Sequence, residues 1–285
     1  MVFDVHVHPF CKEAHYGDRK KIADAMSGYD PIKLKRVNRM LNAIMEQYTL
    51  EDYIAIMDKF NIDKAVIVAF NVTSGYGFIM VSNEDIADFV KRYPERFIGF
   101  ACIDIPAANA MEQLEYAITS LNLKGVKLVP PAQKFDISNK KYDPLWQKMI
   151  DLNIPLWTHG GHQASFYGSI AKYGHPQLID EIALRHRDLT IIIGHMGVPW
   201  MWDAWSVVMR HKNVYIDISA YPNLYNWFPW DAFITENLSH KILFGSDYPL
   251  LHYSQIFNAF EKVQINDSLK KAILEKNAFK LLKLK

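Results

Sequence analysis

A (β/α)8 barrel of the TIM type, with an inserted segment after its first strand, is the fold this sequence predicts. Three observations predict it. Eight short β-branched or apolar runs recur along the chain. After the first, they start about 24 to 35 residues apart, the length of one strand plus one returning helix. Most of them are apolar throughout, as strands buried on both faces of a parallel sheet must be. The 285 residues suit one such barrel better than two average domains, so a single domain is expected over 1–285.

In order, the runs are VFDVHVH from Val2, KAVIVAF from Lys64, FIGFACI from Phe97, GVKLV from Gly125, IPLWTH from Ile154, LTIIIGH from Leu189, VYIDIS from Val214 and KILFGSD from Lys241. Stretches with helical spacing separate them. Residues 50–60 place Leu50, Ile54, Met57 and the adjoining Ile56 and Phe60 on one side. Residues 83–93 follow an N-cap at Ser82 or Asn83 and stop at Pro94. Residues 111–121, 143–152, 176–186 and 254–262 repeat the pattern, and 268–282 close it with an apolar stripe flanked by lysines. One connection is too long. Residues 9–49, rich in Lys, Arg and Met, precede the first clear helix, and a helix over 31–47 is expected to lie over the barrel mouth. This insertion reads either as a surface excursion or as a lid that supplies substrate contacts.

Composition narrows the function classes. Lys and Arg number 32 against 31 Asp and Glu, a formal net charge of +1, which gives no basic footprint for nucleic acid. Hydrophobic residues make up 50% and charged residues 22%, which excludes a disordered chain. No stretch approaches the roughly 20 apolar residues of a membrane helix. Cys11 and Cys102 cannot build a disulfide framework and fit a reducing compartment. Val2-Phe3-Asp4 opens directly into strand-like sequence rather than a basic, then apolar, leader. The expectation is a cytoplasmic protein whose partner is a small-molecule substrate, with neither nucleic acid nor membrane.

The chemistry of a parallel barrel gathers at the C-terminal ends of its strands. Strand one ends His6-Val7-His8, strand five Thr158-His159-Gly160-Gly161, strand six Gly194-His195-Met196-Gly197 and strand eight Gly245-Ser246-Asp247-Tyr248-Pro249. Residues i and i+2 of a strand share a face, so His6 and His8 both look into the barrel. Imidazole nitrogen and carboxylate oxygen suit zinc and neighbouring divalent ions. The glycines beside His159, His195 and Asp247 clear bulk so that a substrate can approach. Asp247 has a second reading, as the N-cap of the following helix. His162, in HGGHQ, is either a substrate contact or a plain loop histidine. Asp217, ending strand seven, is placed to orient His195 or a ligand. The aromatic segments 199–205 and 221–227 wall a pocket, pack a loop or form an oligomer contact.

Taken together, FDVHVHP, GVKLVPPAQKFDISNKKYDPLWQKMIDLNIPLWTHGG, IIIGHMG, KILFGSDYP and ILEKNAFKLL resemble the amidohydrolase superfamily over nearly the whole chain. The resemblance is closer to its amidohydrolase-related branch, which includes aminocarboxymuconate-semialdehyde decarboxylase. It implies one divalent metal ion, zinc, held by His6, His8, His159 and Asp247, with His195 as general acid/base and Asp247 also able to relay a proton. It also implies a homodimer. Some superfamily members carry a carboxylated lysine on strand four that bridges two metals. Lys127 lies in that region and reads here as a substrate-binding or outer-shell group, or as barrel interior. Aromatic-acid decarboxylases of the family often carry Glu where this chain has His6, and THGGH departs from the HPW of the aminocarboxymuconate enzyme. Arg36 and Arg39 in the insertion are carboxylate-binding candidates or helix-surface residues.

The reading that follows is a metal-dependent hydrolase acting through a metal-bound water on a small carboxylated, cyclic or unsaturated substrate. The alternative is a non-oxidative decarboxylase, a carboxy-lyase of the aminocarboxymuconate type. A non-catalytic metal-binding barrel is the competing class, and the presence of His195 beside all four ligands argues against it.

Overall fold

The computed structural model describes residues 2–282. Among them, all eight expected runs form strands: β1 (Phe3–Val7), β2 (Lys64–Val68), β3 (Phe97–Phe100), β4 (Val126–Leu128), β5 (Leu156–Thr158), β6 (Ile191–Ile193), β7 (Val214–Asp217) and β8 (Ile242–Leu243). Parallel ladders join β1, β2 and β3 into one arc and β4 through β8 into a second. Two junctions close the ring. Ala101 bridges Val126, and Lys127 N–H donates to Ala101 O at 2.6 Å. Val7 bridges Tyr248, and Val5 N–H donates to Phe244 O at 2.9 Å. The first and last strands are therefore neighbours, as in a closed (β/α)8 barrel.

Phe3, Val5, Val66, Val68, Phe100, Trp157, Ile192 and Leu243 make one buried cluster drawn from strands all round the ring, which is the barrel interior. A bulge in β1 then decides where its histidines point. Asp4 pairs with Ala65 and Val7 with Ile67, so the register slips between them. Such a bulge rotates the strand. Phe3 and Val5 face inward below it, and His6 packs against interior Trp157 with ring centroids 4.1 Å apart and the rings tilted by 38°. Asp4 faces the other way, into the layer between barrel and helices.

There the Asp4 carboxylate accepts from His6 N–H and Ser246 N–H, each at 3.0 Å, and from Tyr253 O–H at 2.7 Å. It ties β1 to the loop after β8 and to the helix Tyr253–Glu261. Because Asp4 is fully buried, Tyr253→Phe leaves that oxygen short of a donor. The expected loss is about 1.5–3 kcal/mol, the range for a hydrogen bond to a charged group, read as a lower denaturant midpoint with an unchanged slope.

The helices follow the sequence closely. Leu50–Lys59 buries Leu50, Tyr53 and Met57, while Ile54, Ile56 and Phe60 are only half-buried. Asn83–Arg92 is capped by Ser82 through a capping box with Asp85, which decides between the two cap candidates. Asp143–Asp151, Pro176–Arg185 and Tyr253–Glu261 match their expected positions. The expected helix 111–121 runs as Ala110–Glu115 into a π-helical turn, Tyr116–Ser120. The closing one runs as Asp267–Lys271, a π-helical turn Ala272–Lys276, and Asn277–Leu281. Met201–Arg210 is helical where the sequence pattern offered only aromatic density.

Further elements were not expected, two of which lie near the barrel mouth. A short antiparallel hairpin, Phe70–Asn71 with Ile79–Val81, follows β2. In the insertion, a helix Arg19–Ser27 precedes the expected one. It is capped by Asp18 and ends at Gly28, whose φ of 61° a glycine adopts freely. The predicted helix 31–47 is present as Pro31–Asn42 continuing into a π-helical turn, Ala43–Gln47. No helix among the described residues is long and apolar enough to cross a membrane.

Candidate metal centre and active site

The residues just past the strand ends build one buried cluster. His6, His8, Lys127, His159, His195 and Asp247 are each no more than 8% exposed. His159 lies two residues beyond Trp157 and so shares its inward face. Gly245 and Asp247 follow interior Leu243 by the same alternation. His195 reaches inward differently: its φ is 58°, and the 3-10 turn His195–Gly197 begins on it. Asp247 is also left-handed, with φ 64°. Such uncommon conformations recur at functional sites.

The distances are short. Asp247 Oδ1 lies 3.2 Å from His8 Nε2 and 3.7 Å from His6 Nδ1. The His6 ring sits 4.9 Å from that of His8 and 5.0 Å from that of His195, and His159 sits 4.5 Å from His195. Among the described residues, one group of metal-ligating side chains has all its ligand atoms within 4.8 Å of one another: His6, His195 and Asp247. Two of the four expected ligands, His6 and Asp247, belong to this group together with His195, while His8 lies against Asp247 and the His159 ring against that of His195. The left-handed turn at His195 is what carries it there.

Electrostatics favours neutral imidazoles. Burial, then the Lys127 charge, hold His6 and His8 well below the usual histidine range. Burial, then His159, do the same for His195. His159 is lowered to about 3 by burial and then Lys127. Burial pushes the Asp247 carboxyl up against the pull of Lys127, and pushes the Lys127 ammonium down against the pull of Asp247. Neutral imidazoles keep a free lone pair, the form that binds a metal. The donor set fits a divalent ion on a second count: His6 Nε2 and His159 Nε2 are buried without any hydrogen-bond partner among the described residues, a costly state unless something accepts their lone pairs. His8 Nδ1 is unpartnered too, while its Nε2 lies 3.3 Å from Lys127 Nζ.

Beneath the cluster runs a hydrogen-bonded support that sequence reading only half anticipated. Fully buried Asp217 accepts on Oδ1 from His195 N–H (3.0 Å), Ser219 N–H (2.9 Å) and Ser219 Oγ–H (2.5 Å), and on Oδ2 from Trp157 Nε1–H (2.5 Å). Asp217 therefore does orient His195, through its backbone and through Ser219, whose Oγ is 2.8 Å from His195 Nδ1. Ser219 and Trp157 were missed. Ser219 shares a face with Asp217 by the i, i+2 rule, so the signal was present. Trp157 looked like ordinary core.

A Cβ at Gly194 would lie 2.2 Å from the Trp157 ring, and one at Gly245 would lie 3.1 Å from Ser219 Cβ and 3.3 Å from His6 Cβ. These two make room for neighbouring site residues.

The cavity above has a polar floor of His8, Lys127, His159, His195 and Asp247, and walls from Phe10, Phe70, Phe166 and Tyr221. Lys127 Nζ sits 4.8 Å from the Phe70 ring and 5.1 Å from the Trp157 ring. His162 does not belong here. Its side chain is exposed, and the following residues, Gln163 to Phe166, line the cavity instead. The loop turns at Gly161, with φ 99°, and His162 N–H is drawn to Val198 O. Arg36 and Arg39 are exposed, and among the described residues no arginine lines the cavity. From the insertion, Phe10 and Met26 line it, so the helix that reaches the mouth is Arg19–Ser27 and not the one expected to do so. Asp247 caps no helix, since His252 caps Tyr253–Glu261. Of the aromatic segments, Tyr221 walls the cavity, whereas Trp202 and Trp227 are exposed.

Comparison with known proteins agrees with this architecture. The chain is 24% identical over 250 residues to a gamma-resorcylate decarboxylase of Polaromonas sp., covering 71% of this chain and 75% of that one. Its fold is similar to an uncharacterized TIM-barrel protein of Bordetella bronchiseptica (TM-score 0.77, 26% identity, 99% and 98% of the two chains). It is also similar to a dihydroxybenzoic acid decarboxylase of Polaromonas sp. with bound manganese and the inhibitor 2-nitroresorcinol (TM-score 0.71, 18% identity, 99% and 97% covered). The family model described as Amidohydrolase matches residues 3–284, and the chain belongs to that family.

Proposed function

We propose that this protein is a metal-dependent, non-oxidative decarboxylase acting on a small aromatic carboxylate. Decarboxylation thereby takes precedence over the hydrolysis that the sequence favoured. The observation that carries the reading is the cavity itself: four aromatic side chains enclose the space over one ammonium and an imidazole cluster, a setting for a planar, anionic ring. The decarboxylase named for the Polaromonas relative, aligned over 71% of this chain, supports it.

In this reading His6, His8, His159 and Asp247 hold one divalent ion. Zinc suits their nitrogen and oxygen donors, and so does the manganese bound by the Polaromonas neighbour. Such an ion supplies fixed positive charge that draws an anionic substrate and withdraws electron density from its ring. The chain's own residues do the rest. Lys127 Nζ, held over the faces of Phe70 and Trp157, binds the substrate anion. Phe10, Phe70, Phe166 and Tyr221 hold the ring and exclude water. His195, whose Nδ1 is engaged by Ser219, has Nε2 free for the cavity it lines. The proton taken up there passes to the ring carbon that bears the carboxylate. The C–C bond breaks, its electron pair restores the ring, and carbon dioxide leaves.

The deciding assay offers the metal-loaded protein a panel of hydroxybenzoates beside cyclic esters and amides. Carbon dioxide release that a chelator abolishes is the expected result. New carboxyl or amine groups without carbon dioxide would transfer the site to hydrolysis. His159→Ala is expected to lower bound metal well below one ion per chain after dialysis, because the remaining donors make an incomplete site; elemental analysis reads this, and full retention would remove His159 from the ligand set.

The insertion acts as a lid in this reading, through Met26. Met26→Ala removes apolar contact worth about 1 kcal/mol. It is expected to raise KM by about fivefold while leaving metal content and kcat in place. An unchanged KM would return the helix Arg19–Ser27 to the status of a surface excursion.

A further inference from the structure

We infer that Ser219 is a positioning residue that fixes the tautomer of two histidines at once, holding the proton on Nδ1 of both His6 and His195. Ser219 Oγ has one hydrogen to donate and two lone pairs to offer. Its neighbours are Asp217 Oδ1 at 2.5 Å, His195 Nδ1 at 2.8 Å and His6 Nδ1 at 3.3 Å. Asp217 already receives His195 N–H, Ser219 N–H and Trp157 Nε1–H. A carboxylate so surrounded is an acceptor only, so the hydroxyl hydrogen of Ser219 goes to Asp217.

Both lone pairs of Ser219 then face the rings, and each ring must bring a hydrogen. His195 and His6 donate from Nδ1, which leaves the lone pair of each on Nε2. For His6 that is the buried nitrogen without a protein partner. For His195 it is the nitrogen left to the cavity. One fully buried hydroxyl thus prepares one imidazole to ligate and the other to take a proton. Gly245 keeps the place open, since a Cβ there would lie 3.1 Å from Ser219 Cβ. Among the described residues no comparable hydroxyl serves His8, whose Nε2 faces Lys127.

The consequence for catalysis rests on the decarboxylase reading above; the tautomer itself does not. The test therefore starts with metal-free protein labelled with nitrogen-15 in histidine, in which long-range proton–nitrogen correlations distinguish Nδ1–H from Nε2–H. In the unaltered chain both His6 and His195 are expected as Nδ1–H. An Nε2–H signal from either one overturns the inference without recourse to any variant. In Ser219→Ala the two rings are expected to become tautomeric mixtures, and Ser219→Thr, which keeps the hydroxyl, to restore Nδ1–H. Unchanged Nδ1–H in a folded Ser219→Ala also overturns it. Metal affinity measured by competition is expected to fall by about 10–100-fold in Ser219→Ala, the usual effect of losing an outer partner. With substrate, kcat should fall and KM hold. If the tautomers behave as stated while no hydroxybenzoate is turned over, the reaction assignment fails and the role of Ser219 stands.

Discussion

Asp247→Asn is expected to strip the site of its ion and abolish turnover while leaving the barrel folded. The substitution keeps the shape of the side chain and removes only its charge. Asparagine also tolerates the left-handed backbone that position 247 requires, with φ 64°. The Asp247 N–H bond to His6 O at 3.0 Å survives because it belongs to the backbone. What disappears is the carboxylate of the group His6, His195 and Asp247, 3.2 Å from His8 and 3.7 Å from His6. Loss of an outer partner of a ligand typically costs 10–100-fold in metal affinity, and loss of a charged ligand should exceed about 100-fold. Elemental analysis after dialysis, paired with circular dichroism, reads the outcome. A folded variant with one ion per chain and ordinary affinity would mean that Asp247 is no ligand.

The second large effect concerns His195. His195→Asn is expected to lower kcat by about 10²–10⁴, the contribution of a positioned general acid/base, with one ion per chain retained. Asparagine is chosen because the residue has φ 58°, which strains most side chains. The structure makes this a sharper question than the sequence did, since His195 shares a 4.8 Å group with His6 and Asp247. Loss of metal along with activity would move His195 from proton transfer to ligation. Retention of both would remove it from the reaction.

What could be read from the sequence was whatever obeys a simple period. The eight strands were legible because buried parallel strands are apolar on both faces, and the placement of His159 and Asp247 in the buried cluster because residues just past the strand ends gather at the barrel mouth. The inward aim of His6 and His8 was read correctly but for an incomplete reason. Alternation from Phe3 and Val5 would point them outward, and only the bulge after Asp4 turns them in. A bulge leaves no mark in a run as uniform as VFDVHVH. Arg19–Ser27 escaped notice because its mostly charged, polar sequence hides a buried face of Ile22, Ala23 and Ser27. The hairpin Phe70–Asn71/Ile79–Val81 is too short to show a period. His162 was over-read because adjacency to His159 in the chain does not survive the turn at Gly161, which sends the two side chains to different surroundings.

The junction of β1 with β8 has a consequence for how the chain becomes competent. Val5 and Phe244 are bonded across almost the full length of the polypeptide, and contacts of that separation carry the greatest loop-closure cost. His6 and His8 stand on one side of this joint and Asp247 on the other. The proposed centre is consequently not complete until the two extremities of the fold have met, and a nascent or shortened polypeptide lacking its eighth strand would be without Asp247, the carboxylate among the four proposed ligands. Occupancy of the centre by an ion would in turn act as a clasp on the joint, adding about 2.7 kcal/mol to folding at a hundredfold excess over its Kd.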